Sequence, residues 1–232
     1  MSVTAALAVT VLVMVAVNVW VHVGDERWQP VVGPAVAGIL LVVGRSAGLS
    51  WDQLGLGPGA VVRGLLWGGA AAALVVAAYA VALAVPRTRG LFRDPRHRVG
   101  ARPALVLALL AVPLGTVVVE EVAFRSVLWG LLVVEYGTLT TTVVTSVLFG
   151  LWHVLPAVHG ARTSAPDGVV PLGDLLRRVA GTVAFTALAG LVFAFLRHQS
   201  GSLAAPVLLH WATNGLGVLA AAVAWRWSAA RS

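Results

Sequence analysis

Three short polar signatures interrupt long apolar runs and could do chemistry: Glu120-Glu121-Val122-Ala123-Phe124-Arg125, Phe149 with His153 four residues on, and His210 with Asn214 at the same spacing. An ionisable group inside a membrane span costs about 2.5–3.5 kcal/mol on insertion scales, so such a residue points first to function. Glu121 and Arg125 stand at i and i+4 with the acid on the N-terminal side, the favourable order for a helical ion pair. Such a pair neutralises two charges that would be costly alone. Glu120, one residue earlier, points about 100° away and faces the bundle as the candidate proton acceptor. His210 and Asn214 share a face of one helix. A carboxylate, two imidazoles and a carboxamide can bind and activate a water: Glu120 takes its proton, His153 helps to position it, and His210 or Asn214 steadies the oxyanion formed at a substrate carbonyl. Alternatively Glu120, His153 and His210 hold a divalent metal such as zinc that activates the water. The sequence has no HExxH run, and both versions stay open. A single intramembrane histidine or asparagine is usually interhelical hydrogen-bonding glue. The whole set is harder to explain that way, because fewer costly groups would suffice.

The elements that must carry these residues are apolar helices. Of 232 residues, 59% are hydrophobic and 11% charged, against about 45–50% and about 25% in soluble domains. A soluble protein of this length could not hide so much apolar surface, so lipid is the solvent. A span needs about 20 apolar residues, which predicts an all-α, polytopic transmembrane bundle of about seven or eight helices forming a single integral membrane domain, 1–232. Apolar runs place the spans near 3–23, 30–43, 61–85, 103–134, 139–158, 179–196 and 203–225. The fourth has about 30 residues, about 46 Å at 1.5 Å per residue. It must tilt, protrude or kink near Pro113. Glu120 lies 17 residues before Gly137 and His153 16 after it, so two antiparallel helices joined there would bring both to similar depth. Gly64 and Gly68 have the spacing that lets helices approach closely, a pattern common by chance in glycine-rich spans.

The net charge of +7 is not arranged for nucleic acid. Arg87, Arg89, Arg93, Arg96, Arg98 and Arg102 fall in one loop, whose simplest reading is a cytoplasmic juxtamembrane segment, 86–102, facing anionic lipid. That places the N-terminus outside and the C-terminus inside. There is no cysteine, so thiol catalysis is excluded. The apolar N-terminus lacks a basic n-region and reads as a retained first span rather than a cleaved signal peptide. His22, His97, His159 and His198 fall in loops or at helix ends and read as solvated, as does Glu135. Most of the nine tryptophans read as interfacial anchors or lipid-facing bulk; Trp152 and Trp211 flank the site histidines.

The signatures, taken in order, resemble those of the CPBP family, the CAAX-processing and bacteriocin-processing intramembrane proteases also called the ABI family. Glu120-Glu121-x-x-x-Arg125, then Phe149-x-x-x-His153, then Gly201-Ser202-Leu203 leading to His210-x-x-x-Asn214, follow the family's order over about 103–220. Trp51-Asp52-Gln53-Leu54-Gly55-Leu56 adds a faint similarity. The resemblance implies an intramembrane endopeptidase with its site in a cavity within the bilayer. Glu120 would be the general base, Glu121 and Arg125 the supporting ion pair, and His153, His210 and Asn214 the groups that position water and stabilise the oxyanion. Members are commonly called metalloproteases, and the resemblance leaves metal dependence open. The implied partner is a membrane-associated peptide or protein. The Ala/Val/Arg-rich composition looks bacterial, and bacterial relatives serve in peptide export, bacteriocin immunity or signalling. Two rivals remain: a peptide-binding or immunity protein that does not cut, and a proton-coupled transporter. The transporter class often carries paired interrupted helices, and no such symmetry is visible here.

Overall fold

The structure is a computed structural model that describes residues 1–94, 98–165 and 167–229; of the side chains in that range, those of His22, Val23, Glu26 and Ala229 lie outside the description. Arg96 and His97 of the basic loop also lie outside the described residues. Helices α1 (Val3–Val23), α2 (Gln29–Ser46) and α3 (Val61–Ala84) are followed by α4 (Ala101–Val106), α5 (Val118–Glu121), α6 (Leu128–Trp152), α7 (Val154–Thr163), α8 (Leu172–Ser200) and α9 (Ala204–Ala229), with no strand among the described residues.

Among the described residues six helical stretches are long and apolar enough to cross a bilayer, and one of them, Ala101–Thr163, has 63 residues. That stretch leaves helical geometry at Gly137, with φ 70° and ψ 171°, a conformation open mainly to glycine. Contacts across the bend, such as the Phe124 and Phe149 rings at 5.2 Å, show that it folds back on itself. Five single passes and this antiparallel pair make seven, as the apolar runs predict. The outward faces carry large apolar side chains, among them Leu12, Leu66, Leu74 and Leu188, as lipid requires.

The first limb of the hairpin is not an ordinary α-helix. It has wide π-type turns at Leu107–Ala111, Pro113–Val117 and Val122–Val127. In the first, Val112 N–H reaches Leu107 O, five residues back. In that register the partner of the Ala108 carbonyl would be Pro113, which has no N–H. The indole of Trp211 on α9 takes the place, at 2.8 Å. The distortion expected near Pro113 is thus a widening of the helix, satisfied from a neighbouring pass.

Lipid gives helices no hydrophobic reason to associate, so close packing of small residues does it. A Cβ at Gly68 would lie 2.9 Å from the Ala205 backbone, and one at Gly64 2.4 Å from Ser202 Oγ; the spacing noted on α3 is the α3–α9 contact. On α6 and α8, a Cβ at Gly150 would meet Val183 O at 2.7 Å, and one at Gly190 would meet Ser146 at 3.0 Å. Between these contacts lies an apolar core that includes Leu40, Leu54, Phe124, Val127, Phe149 and Phe193.

The loop after α2 plugs one end of the bundle. Leu49 and Leu54 are buried, Leu54 O accepts from Ser126 Oγ at 2.7 Å, and Gly55 O accepts from Leu203 N at 2.8 Å. Arg197 ties this loop to the hairpin, donating through Nε to Arg125 O at 2.9 Å and through Nη2 to Gln53 O at 2.8 Å. Two helix bounds differ from the apolar runs. α8 begins at Leu172 rather than near 179, because its first turns are helical but polar and exposed, with Arg177 bonded to Asp174. The helix after the hinge stops at His153, and α7 starts at Val154.

Candidate active site

The three signatures converge at one place inside the bundle. Glu121 and Arg125 are wholly buried, with Arg125 Nη1 3.3 Å from Glu121 Oε1. The guanidinium also donates through Nη2 to Gly190 O at 3.3 Å. Its carbon lies 4.2 Å from the ring centre of Phe149, 5.0 Å from Phe193 and 5.6 Å from Phe124, so three aromatic rings replace water around the cation.

Glu121 does more than hold Arg125, which is beyond what the i, i+4 spacing implies. Its Oε1 also meets His210 Nδ1 at 2.8 Å. An ionised carboxylate only accepts, so Nδ1 carries the proton. In the neutral ring Nε2 then holds the lone pair, and Asn214 Nδ2 donates to it at 3.1 Å. Phe193 stacks on His210 at 4.9 Å and Phe149 meets it edge-on at 5.9 Å, which fixes the ring plane. Glu120 lies on the other side of this ring, its Oε2 3.8 Å from Nε2. The two carboxylates therefore share His210 as a neighbour, each facing a different nitrogen. Glu120 Oε1 accepts from Trp152 Nε1 at 2.9 Å. Its Oε2 is buried without a hydrogen-bond partner among the described residues.

His153 sits at the break between α6 and α7, with φ −87° and ψ 5°, in the sparsely allowed bridge region frequented by active-site residues. Its Nδ1 is 2.7 Å from Phe149 O. A carbonyl only accepts, so Nε2 is the nitrogen with the lone pair. His153, Glu120, Asn214 and Trp152 line one cavity of about 750 Å3, which extends past Thr116 and Thr186. Asn214 is exposed on that wall, whereas His210 is only 3% exposed.

Glu120, His153 and His210 are the residues the sequence offers to a metal. Among the described residues no three His, Asp or Glu side chains converge as metal ligands. His210 is engaged at both nitrogens, with Glu121 at Nδ1 and Asn214 donating to the lone pair at Nε2. What the group can do is hold a water between acceptors and present an amide N–H to a developing oxyanion.

A family model described as type II CAAX prenyl endopeptidase Rce1-like matches residues 102–216. The chain belongs to the Rce1-like CAAX protease family. The match spans the hairpin, α8 and the start of α9, and so contains every residue of the cluster. No curated protein and no solved structure matches the chain. Membership gives the Rce1-like chain a CAAX-type protease character, and its seven apolar passes make it an integral membrane protein.

Sequence reasoning brought out Glu120, Glu121, Arg125, His153, His210 and Asn214, and the structure gathers all six. It did not bring out the second bond of Glu121, the aromatic walls, Arg197, or Trp152 as a partner of Glu120. Phe193 carries no charge and is ordinary in an apolar helix, and the Phe149-x-x-x-His153 signature did not place the Phe149 ring on Arg125. Trp152, adjacent to His153, carried the one usable signal: a donor-only ring next to a site residue.

Proposed function

We propose that this protein is an intramembrane endopeptidase that hydrolyses a peptide bond of a membrane-associated protein or peptide with a water activated by Glu120. The observation that carries the reading is Glu120 Oε2: a buried carboxylate oxygen with no partner among the described residues, beside a cavity walled by His153 and Asn214. The water lies between Glu120 Oε2 and His153 Nε2. As its oxygen bonds to the carbonyl carbon, Glu120 takes its proton and the carbonyl electrons move to oxygen. Asn214 Nδ2–H donates to that oxyanion, and His210 adds a second donor only when Nε2 is protonated. Collapse re-forms the carbonyl, breaks the C–N bond and passes the proton from Glu120 to the leaving amine.

The water acts without metal, a reading supported by the two engaged nitrogens of His210. Substrate reaches the site from the arginine-rich end. There the catalytic cavity meets a second one of about 820 Å3 that shares Leu91, Asp94 and Pro156 with it and is lined by Arg93, Arg177 and Arg178. At the opposite end Arg45, Arg63 and Arg197 are bonded to the backbone at Leu49, Ser200 and Gln53. The larger number of arginines at the 86–102 end supports placing that side in the cytoplasm against anionic lipid.

The test is turnover of a membrane-associated peptide library by purified protein. Glu120→Gln and His153→Ala should each abolish cleavage while eluting as folded protein, and a chelator should leave the native rate unchanged. Wild-type turnover by Glu120→Gln would refute the mechanism, and chelator-sensitive activity restored by zinc would refute its metal-free form.

A further inference from the structure

Trp152 has three relations that a filler residue would not combine. It is the last residue of α6, directly before the break at His153. Its indole N–H donates to Glu120 Oε1 at 2.9 Å. Its backbone carbonyl, one of the terminal carbonyls a helix leaves without a partner, accepts from Asn18 Nδ2 of α1 at 2.8 Å. Asn18 and Trp152 also form the partition between the catalytic cavity and an apolar groove of about 270 Å3 between α1 and α6. The ring is steadied by Phe124, edge-on at 5.8 Å.

An indole N–H is a donor only. It can hold a carboxylate oxygen as acceptor and can never take a proton from it. Bound to Oε1, it makes the two oxygens of Glu120 unequal: Oε1 is occupied, and Oε2 points toward His210 Nε2 at 3.8 Å with no partner among the described residues. Without the indole the carboxylate could rotate, and either oxygen could turn away from the water.

We infer that Trp152 is the positioning residue of the general base, selecting Oε2 as the oxygen that accepts the water's proton, and that Asn18 holds Trp152 in place from α1. The inference rests on the reading of Glu120 as base. It extends the catalytic apparatus to α1 and therefore beyond the matched residues 102–216. General-base catalysis contributes about 10²–10⁴-fold, and loss of orientation forfeits part of it.

Trp152→Phe keeps an aromatic ring and removes the N–H. It should lower kcat about 10–100-fold with KM within about twofold of wild type, because the indole touches the base and not the substrate. Asn18→Ala leaves the indole in place and loosens only its anchor; kcat should fall about 3–10-fold, again with KM held. Glu120→Gln is measured in parallel. If Glu120→Gln is inactive while Trp152→Phe keeps its kcat within twofold, the positioning role is overturned and the base survives. If Glu120→Gln turns over normally, the base reading itself falls. Should Trp152→Phe fail to fold, by loss of its thermal transition, Asn18→Ala decides: an unchanged kcat overturns the inference. A rise in KM with kcat unchanged, in either variant, would make Trp152 a binding residue and overturn it as well.

Discussion

Replacing Arg125 by Met should separate stability from activity at this site. Arg125 is fully buried and bonded to Glu121 and Gly190 O at 3.3 Å each. Breaking a buried pair by removing one partner costs about 3–5 kcal/mol, because the other charge is left uncompensated. Glu121 keeps only His210 Nδ1 at 2.8 Å, so Arg125→Met should fall in that range. In the double variant Glu121→Met/Arg125→Met the Glu121 charge is removed together with its partner, and Glu120 keeps its bond from Trp152. What persists is an unsatisfied His210 Nδ1–H, worth about 1–3 kcal/mol. The double variant should thus recover about 2 kcal/mol over the single one. Its turnover should nevertheless be lost, since nothing then fixes the His210 tautomer that receives Asn214. Unfolding by increasing anionic detergent, followed by tryptophan fluorescence, measures the first quantity and peptide cleavage the second. A double variant as unstable as Arg125→Met, or more so, would refute the view that the pair exists to neutralise Glu121.

Asn214→Ala removes the amide aimed at the oxyanion and should lower kcat about 10²–10³-fold; steady-state kinetics at saturating substrate would reveal it, and a loss confined to KM would contradict the role. Gly55→Ala should destabilise the plug, because φ is +75° and the new Cβ would lie 2.6 Å from Arg197 Nε, a cost of about 1–3 kcal/mol visible as a lowered thermal midpoint. Trp211→Phe leaves the Ala108 carbonyl without its 2.8 Å donor and should cost about 1–3 kcal/mol, read in the same melting assay.

The legible part of the fold was the part governed by solvent preference. Apolar runs mark the passes because lipid admits little else, and Gly137 marks the hinge because few other residues take its φ. The site residues stood out for the converse reason: Glu120, Glu121, Arg125 and His210 are costly inside a bundle, so their presence needs explaining. Gly64 and Gly68 had the right spacing, but only their contacts with Ser202 and Ala205 separate them from other small pairs. Illegible were features set by hydrogen-bond register. The wide turns around Pro113 and Arg125, the stop at His153 and the bond from Trp152 to Glu120 depend on which donor reaches which acceptor across helices. Hydropathy carries no trace of that choice. The early start of α8 was hidden because Asp174, Arg177 and Arg178 are polar, yet their backbone is helical.

The proline at 113 has a consequence for how the two halves of the site find one another. A helix surface offers few marks that distinguish one turn from the next, and a slip of α9 by one turn would carry His210 about 5.4 Å from Glu121. The missing proton of Pro113 leaves the Ala108 carbonyl open, and Trp211, the neighbour of His210, donates to it. A slipped α9 would forfeit that bond and the Glu121–His210 bond together. The backbone defect thus works as an alignment mark, so that the vertical register of the catalytic groups is keyed to an atom the chain lacks.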